Sequence, residues 1–254
     1  MVITGAGGGF GDALTRQLIR AGAHLILTSR QPERLQRVRE AAEAVGGPGR
    51  VLGWVAADLS SDEGCAQLHA GCLELTPHVD LLINNAGIGL YGPLHAIPQT
   101  EWERLIQVNL LAPLRLTARF LPAMMSRRSG HVVLMSSIFG LYGLPGVSPY
   151  AVTKFGLRGL GESLAEDMRD HGVDVSVIYP FFTRTEILES PQYGVSSKLP
   201  DWIVDDTEQV MARTLAGIAR RRRHIYPSLR AHSYALASRF IPWVLPTVSR
   251  LIIG

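Results

Sequence analysis

Short runs of aliphatic and β-branched residues alternate along the chain with longer segments of helical character. The runs that predict strands are residues 2–4, 24–29, 50–57, 79–84, 131–136, 174–179 and 224–226. The helical segments between them include residues 10–21, 33–45, 101–125 and 150–170. Strands that are apolar on both faces and separated by helices are typical of a parallel sheet covered by helices on both sides. The pattern therefore predicts a doubly wound α/β fold with a parallel sheet.

The composition is that of an ordinary globular protein. Of the 254 residues, 46% are hydrophobic and 19% are charged, which excludes disordered, collagen-like and coiled-coil proteins. The sequence contains neither a Ser/Gly-rich linker nor an internal repeat. We therefore expect one domain over residues 1–227, followed by a C-terminal extension over residues 228–254.

Charge is unevenly distributed along the chain. The formal net charge is +3 and the sequence pI is about 9.1. Residues 220–254 contain seven Arg and no Asp or Glu, so the preceding 219 residues carry 18 basic and 22 acidic residues. The basic pI therefore belongs to the C-terminal segment. It does not indicate nucleic-acid binding, because the arginine run is short and no reading module accompanies it.

The C-terminal segment also carries large apolar side chains. These side chains are Tyr234, Phe240, Ile241, Trp243, Val244, Leu245, Leu251, Ile252 and Ile253. Basic charge beside apolar, Trp-bearing sequence can lie in an anionic membrane interface without spanning it. The segment can also fold over the functional site or pack in an oligomer. Pro242 and Pro246 interrupt a clean amphipathic stripe and favour packing slightly.

Cysteine usage and the start of the sequence give two further expectations. Cys65 and Cys72 are the only cysteines and match no metal-ligand spacing, so we expect free thiols in a reducing compartment and no metal site. No basic segment precedes an apolar stretch at the start, so we expect no secretory signal. These features favour a cytoplasmic protein, with membrane association through the extension as the alternative.

A glycine-rich loop lies between the first predicted strand and the first predicted helix. Its sequence, Thr4-Gly5-Ala6-Gly7-Gly8-Gly9-Phe10-Gly11, places five glycines within seven residues. Glycines let the backbone approach a pyrophosphate, and the helix N-terminus offers free N–H groups and a positive dipole end. A merely flexible turn is the weaker interpretation, because the loop joins a strand to a helix. The loop therefore predicts a dinucleotide site.

The end of the second predicted strand bears on which dinucleotide binds. Folds that prefer NAD place an acid here for the ribose 2′-hydroxyl, whereas the 2′-phosphate of NADP needs a cation. This position holds Ser29 and Arg30, and the first acid is Glu33. A guanidinium binds a phosphate through two hydrogen bonds, so the sequence favours NADP(H), with NAD as the weaker choice. A solvated Arg at a helix start is the competing interpretation.

Tyr150 and Lys154 stand four residues apart, which places them on one face of a helix. Lys154 is one of only two lysines in the chain. A phenol, whose reference pKa is about 10, is a poor acid/base at neutral pH unless a nearby cation favours the phenolate. The pair therefore predicts an acid/base centre.

Together these motifs resemble those of the short-chain dehydrogenase/reductase family, over a span from Thr4 to about Tyr226. The family's TGxxxGxG motif matches Thr4, Gly5, Gly9 and Gly11, and its NNAG motif matches Asn84-Asn85-Ala86-Gly87. Asp58 is similar to the acid that contacts adenine in the family. The resemblance implies a Rossmann fold.

The resemblance also implies a catalytic set. Tyr150 would be the general acid/base, and Lys154 would bind the nicotinamide ribose and lower the pKa of Tyr150. Ser137 would bind the substrate oxygen, with the adjacent Ser136 pointing the opposite way along the strand. Asn109 would hold a water that links Lys154 to solvent. The implied cofactor contacts are Thr4, Gly5, Gly7, Gly9, Phe10, Gly11, Ser29, Arg30, Asp58, Leu59, Asn85, Ala86, Gly87, Tyr150, Lys154, Pro180, Thr183 and Thr185.

One position departs from the family pattern. The family has Pro-Gly after the sixth strand, whereas Phe181 follows Pro180 here. A ring at this point can narrow the pocket or alter the path of the loop. The segment over residues 138–149 is almost wholly apolar, and with a second loop over residues 188–202 it predicts a pocket for a lipophilic substrate. These side chains can instead pack against a lid or a partner subunit.

These observations predict an NADP(H)-dependent oxidoreductase that interconverts a carbonyl and an alcohol on a lipophilic small molecule. The alternative is a non-catalytic Rossmann protein that senses nucleotides or binds a partner. The intact set of Ser137, Tyr150 and Lys154 argues against that alternative, because a sensor needs no acid/base. The resemblance further implies a homodimer or homotetramer, formed through the helices at residues 101–125 and 150–170.

Overall fold

The structure, a computed structural model, describes residues 1–194 and 199–247. Lys198, which lies in the second predicted substrate loop, falls outside the described residues. So do Leu251, Ile252 and Ile253 of the predicted extension.

A seven-stranded parallel sheet forms the centre of the described chain. Its strands are β1 (Val2–Thr4), β2 (His24–Ser29), β3 (Arg50–Ala56), β4 (Leu81–Asn84), β5 (Gly130–Met135), β6 (Val173–Ile178) and β7 (His224–Ile225). They lie in the order β3-β2-β1-β4-β5-β6-β7. The chain changes direction across the sheet between β1 and β4, and ligands bind at the carboxyl ends of strands at such a switch point. The predicted doubly wound fold is confirmed.

Helices cover both faces of this sheet. They are α1 (Gly9–Arg20), α2 (Pro32–Val45), α3 (Asp62–Leu75), α4 (Gln99–Ile106), α5 (Ala112–Arg127), α6 (Ser148–Asp167), α7 (Thr207–Ala219) and α8 (Leu229–Phe240). Side chains that alternate along β1 divide the core into two layers. Val2 packs in the layer with α3, α5 and α6, and Ile3 packs in the layer with α1, α2 and α7.

The helix predicted over residues 101–125 is interrupted, which corrects the sequence expectation. A π-helical turn over Gln107–Leu111 separates α4 from α5, and the Ala112 N–H bonds to the Gln107 carbonyl, five residues back. Pro113, in the first turn of α5, has no N–H to donate. The carbonyl of Asn109 therefore lacks the donor that a continuous α-helix would supply. The interruption places Asn109 in a turn type that is frequent at functional sites.

The C-terminal helix packs against the rest of the fold. Ala231 of α8 is fully buried in a hydrophobic cluster that also contains Tyr150. Arg230 Nη1 donates to Asp205 Oδ1 at 2.6 Å, which joins the start of α8 to the segment before α7. The first turns of the predicted extension thus share a hydrophobic core with residues of the preceding domain.

Both cysteines lie in α3, outside the sheet. Cys65 and Cys72 are free and buried, and burial raises the pKa of Cys72 to about 12.

Within the described residues, no helix has both the length and the apolar character needed to cross a bilayer.

Two glycines of α6 allow a test of how closely this helix packs on the sheet. A Cβ added at Gly161 would lie 2.2 Å from Cγ2 of the buried Val177, whereas one added at Gly159 would meet nothing within 4 Å. We predict that Gly161→Ala lowers the free energy of unfolding by about 1–3 kcal/mol through overpacking. Gly159→Ala should raise it by up to about 1 kcal/mol through helix propensity.

Urea unfolding of the two variants and the unchanged protein measures this difference. The substitution is the same in both variants and lies in the same helix, so helix propensity acts on both. Equal midpoints for the two variants would contradict the packing described for α6.

Candidate active site

A cavity of about 400 Å³ opens at the carboxyl ends of the strands. Segments that directly follow β1, β2, β3, β4, β5 and β6 all contribute to its wall. The predicted site residues that line it are Gly5, Gly7, Gly9, Phe10, Ser29, Arg30, Asp58, Leu59, Asn85, Ala86, Gly87, Ser137, Tyr150, Lys154, Pro180, Thr183 and Thr185. The structure therefore brings residues from the whole length of the chain to one place.

Thr4 and Gly11 act behind the cavity wall by fixing the glycine loop. The Thr4 hydroxyl oxygen accepts hydrogen bonds from the backbone N–H groups of Asn85 and Ala86, each at 2.9 Å. Asn85 Nδ2 donates to the Thr4 carbonyl at 2.9 Å. Gly5 has a φ of +64°, and a Cβ there would lie 2.7 Å from Ala86 Cα. The loop after β1 and the turn after β4 are therefore held together at a distance that only glycine permits.

The start of α1 faces the cavity. A Cβ at Gly11 would lie 2.3 Å from the Gly5 carbonyl oxygen, so the first turn of the helix packs directly on the loop. Gly8, at the N-cap, supplies no side-chain hydrogen bond to the helix. Backbone N–H groups at such a helix start are available to an anion, and the dipole favours negative charge. Thr185 closes this end, since its Cγ2 is 3.2 Å from the Cβ position of Gly9.

Two cations stand at the end of the cavity next to β2. Arg30 is exposed and lines the wall as the sequence predicts. Arg34, which sequence reasoning missed, also lines it and forms an ion pair with Glu186 at 2.7 Å. The signal was present, because Arg34 follows Arg30 by four residues at a helix start. Its partner could not be found in the same way, since Glu186 lies 152 residues later.

Asp58 lies in the wall beside these cations. Its Oδ1 accepts a hydrogen bond from the Ser60 backbone at 3.0 Å. This bond holds the pKa of Asp58 below its ordinary value, and the charge of Arg30 acts in the same direction. The carboxylate is therefore ionised at neutral pH and can accept hydrogen bonds from a ligand.

Tyr150 and Lys154 lie one turn apart in the first half of α6, and both are buried. Lys154 Nζ is 5.3 Å from the centroid of the Tyr150 ring and donates to the Met135 carbonyl at 2.8 Å. Burial lowers the pKa of Lys154 to about 7. The ammonium thus has one described acceptor, and its other donors can serve a ligand.

The pKa of Tyr150 corrects the sequence expectation. We predicted a pKa lowered by Lys154, but burial raises it, and the nearby Tyr91 hydroxyl adds to the increase. A hydrogen bond with Ser137 opposes this change without outweighing it. Loss of solvent therefore disfavours both the phenolate and the ammonium.

The two serines after β5 point to different partners. The Ser136 hydroxyl donates to the Lys154 carbonyl at 2.8 Å, which fastens α6 to the end of the strand. The Ser137 oxygen accepts from the Phe139 N–H at 3.2 Å and interacts with Tyr150. Of the two hydroxyls, Ser137 is the one placed beside Tyr150.

Asn109 is fully buried behind the wall. Its Oδ1 accepts from the Ile88 N–H, and its Nδ2 donates to the Ile88 carbonyl, each at 2.9 Å. Both ends of the side-chain amide are therefore engaged. The Asn109 carbonyl, whose α-helical donor position is occupied by Pro113, is a further acceptor at this point.

Aromatic and aliphatic side chains form the end of the cavity next to Ser137. Phe181, at the position of the family's Gly, packs edge-on against Phe182 with ring centroids 5.0 Å apart. The Tyr234 ring of α8 also packs edge-on against Phe181, with ring centroids 6.2 Å apart. Among the described residues of the two predicted substrate loops, only Ile138 and Phe139 of the first and Leu188 and Ser190 of the second line the wall. Lining residues that sequence reasoning missed here are Val108, Met135, Glu186 and Ile187.

Comparison with known proteins agrees with this arrangement. A sequence model of the short chain dehydrogenase family matches residues 1–193. Dehydrogenase/reductase SDR family member 7B from Bos taurus is 32% identical over 252 residues, covering 93% of this chain and 77% of that protein.

Solved structures give the same result. A short-chain dehydrogenase from Sphingobium yanoikuyae in complex with NADPH has a TM-score of 0.80 and 28% identity, covering 96% of this chain and 94% of that one. A short chain dehydrogenase/reductase from Burkholderia phymatum in complex with NAD has a TM-score of 0.82 and 26% identity, covering 96% and 92%. The chain therefore belongs to the short-chain dehydrogenase/reductase family of oxidoreductases.

Proposed function

We propose that this protein is an NADP(H)-dependent oxidoreductase that interconverts a carbonyl and an alcohol on a lipophilic small molecule. The observation that carries the proposal is the convergence of Ser137, Tyr150 and Lys154 on the same cavity as the glycine loop. The complexes of structural relatives with NADPH and with NAD support a nicotinamide dinucleotide as the cofactor.

The residues at the strand ends fit such a dinucleotide. Gly5 and Gly9 line the cavity, Gly11 lets the first turn of α1 pack directly on the loop, and the α1 N-terminus suits a pyrophosphate. Asn85 Oδ1 is buried and has no hydrogen-bond partner among the described residues, so the cavity offers an acceptor that a ligand can satisfy. Arg30 and Arg34 supply positive charge for the 2′-phosphate of NADP.

The mechanism assigns a task to each catalytic side chain. The chemistry that a nicotinamide supplies is transfer of a hydride to or from the substrate carbon. Ser137 and Tyr150 donate hydrogen bonds to the substrate oxygen, where negative charge develops during reduction. Tyr150 then gives its proton to that oxygen, and it removes the proton in the reverse direction. Lys154 in its charged form stabilises the Tyr150 phenolate. The Asn109 carbonyl positions the water through which Tyr150 recovers its proton.

The composition of the cavity wall supports a lipophilic substrate. Phe139, Phe181, Phe182, Ile187 and Leu188 surround the end next to Ser137. Burial raises the pKa of Tyr91 to about 12, and its hydroxyl donates to the Ile187 carbonyl at 3.1 Å. The wall therefore offers few free polar groups besides Ser137 and Tyr150, which suits a molecule with a single carbonyl on an apolar body.

We also propose a homo-oligomer, formed through α5 and α6. Leu114, Val152 and Phe155 are exposed on these helices. Clustered apolar side chains on adjacent helices are typical of subunit contacts.

Replacement of the tyrosine hydroxyl tests the acid/base assignment. We predict that Tyr150→Phe lowers kcat by at least about a hundredfold, because the proton donor is lost, while NADPH affinity changes little. Steady-state kinetics and NADPH titration by fluorescence measure the two quantities. Tyr193→Phe, in the loop after β6, is the matched control and should retain activity. A Tyr150→Phe enzyme with unchanged kcat would contradict the assignment.

Removal of a cation tests the cofactor preference. We predict that Arg30→Ala weakens NADPH binding by about tenfold or more, the effect of losing a charge-assisted hydrogen bond, and leaves NADH binding nearly unchanged. Arg37→Ala, in the same helix region and exposed, serves as the control. If both variants bound NADPH as the unchanged protein does, Arg30 would not recognise the 2′-phosphate.

Enlargement of the apolar end tests the substrate pocket. We predict that Phe181→Ala raises kcat/KM for bulky ketones relative to small ones by about tenfold, since removal of the ring opens the wall. Phe240→Ala, which removes an exposed ring outside the cavity, should leave this ratio unchanged. A ratio that is the same in the two variants would mean that Phe181 does not limit substrate size.

A further inference from the structure

Helix α8 carries apolar side chains on two opposite faces. The inner face holds the buried Ala231 and Tyr234, which contacts Phe181. With 100° of rotation per residue, Leu229, Leu236 and Phe240 fall within about 40° of one another on the other side of the helix. Their exposed fractions are 82%, 48% and 63%. The outer face is thus an apolar stripe with no described residue covering it.

The stripe continues beyond the helix. Ile241 and Trp243 follow Phe240 in the chain and are 43% and 70% exposed. Trp202, 67% exposed, adjoins the start of α8, where Arg230 Nη2 donates to its carbonyl at 2.7 Å. We call these residues the α8 surface: Trp202, Leu229, Leu236, Phe240, Ile241, Trp243 and Val244. They are seven of the thirteen large hydrophobic side chains that are exposed in the described chain.

Positive charge accompanies the α8 surface. Of the two Arg residues of α8, Arg230 pairs with Asp205, whereas none of the ion pairs found among the described residues involves Arg239. The Arg239 guanidinium lies 5.4 Å from the centre of the Phe240 ring. Apolar side chains with two tryptophans beside this cation match the interfacial region of an anionic bilayer.

The same features disfavour a second copy of this chain as the occupant. In a two-fold contact each surface meets its own equivalent. The two Arg239 side chains, each beside the Phe240 of its own copy, would then be brought into one contact, where like charges repel. A surface of anionic lipid headgroups satisfies the charge as well as the apolar side chains.

We propose that the α8 surface docks this protein onto anionic lipid bilayers as a peripheral contact. The contact does not depend on the proposed enzymatic activity. It does place Tyr234, on the inner face of α8, between the bilayer and the Phe181 wall of the cavity. A lipophilic molecule dissolved in the membrane would then lie close to the apolar end of the site.

Vesicle flotation of the full chain tests the proposal. Phosphatidylcholine vesicles with phosphatidylglycerol should carry the protein, those of phosphatidylcholine alone should carry much less, and added salt should reduce binding. L229S/L236S should lower the partition coefficient by about tenfold or more, and Arg239→Gln by about fivefold. L73S/L94S is the matched control, because Leu73 and Leu94 are 48% and 55% exposed elsewhere.

Two further measurements keep each outcome decisive. Urea midpoints and NADPH affinity should be the same in both double variants, since all four leucines are exposed. Brominated lipids should quench the tryptophan fluorescence of the unchanged protein, and Trp202→Phe with Trp243→Phe should remove most of this quenching. The proposal is overturned if the unchanged protein does not float with anionic vesicles or if the two double variants partition equally. It is also overturned if L229S/L236S instead dissociates a homo-oligomer in sedimentation.

Discussion

The site depends on one junction between two strand ends. The Thr4 hydroxyl and the Asn85 side chain join the loop after β1 to the turn after β4, and Gly5 permits their close approach. Three residues after Asn85, the backbone N–H and carbonyl of Ile88 form hydrogen bonds with the two ends of the Asn109 side-chain amide. The proposed cofactor cradle and the segment around Asn109 are therefore parts of one hydrogen-bonded framework. A change at the junction would displace both together.

Burial determines how the acid/base pair can act. Desolvation lowers the pKa of Lys154 to about 7 and raises the pKa of Tyr150, so it disfavours the charged form of each group. A ligand that offers hydrogen-bond acceptors to the Lys154 ammonium would favour its charged form, and that charge would in turn favour the phenolate. In the proposed mechanism, the pair therefore acts as an acid/base with a ligand in place.

The sequence carries the fold because the relevant signals are local. Period-two and period-3.6 patterns, a glycine loop at a strand end and a Tyr-Lys spacing of one turn all lie within short windows. The break between α4 and α5 is not predicted, although the sequence shows Pro113, because the helical pattern of apolar residues continues across it. The Arg34–Glu186 pair and the raised pKa of Tyr150 could not be predicted, since both arise from tertiary packing between distant segments. Phe181 could be singled out as unusual, but its contact with Tyr234 required the position of α8.

The central claim is that this cavity transfers a hydride from NADPH to the carbonyl carbon of a lipophilic molecule. The most direct measurement uses NADPH that carries deuterium at the transferable position, with a series of ketones of rising chain length, and mass spectrometry of the products. The account predicts an alcohol that carries deuterium on the carbinol carbon. A protein that binds NADPH yet forms no labelled alcohol from any member of the series would contradict it.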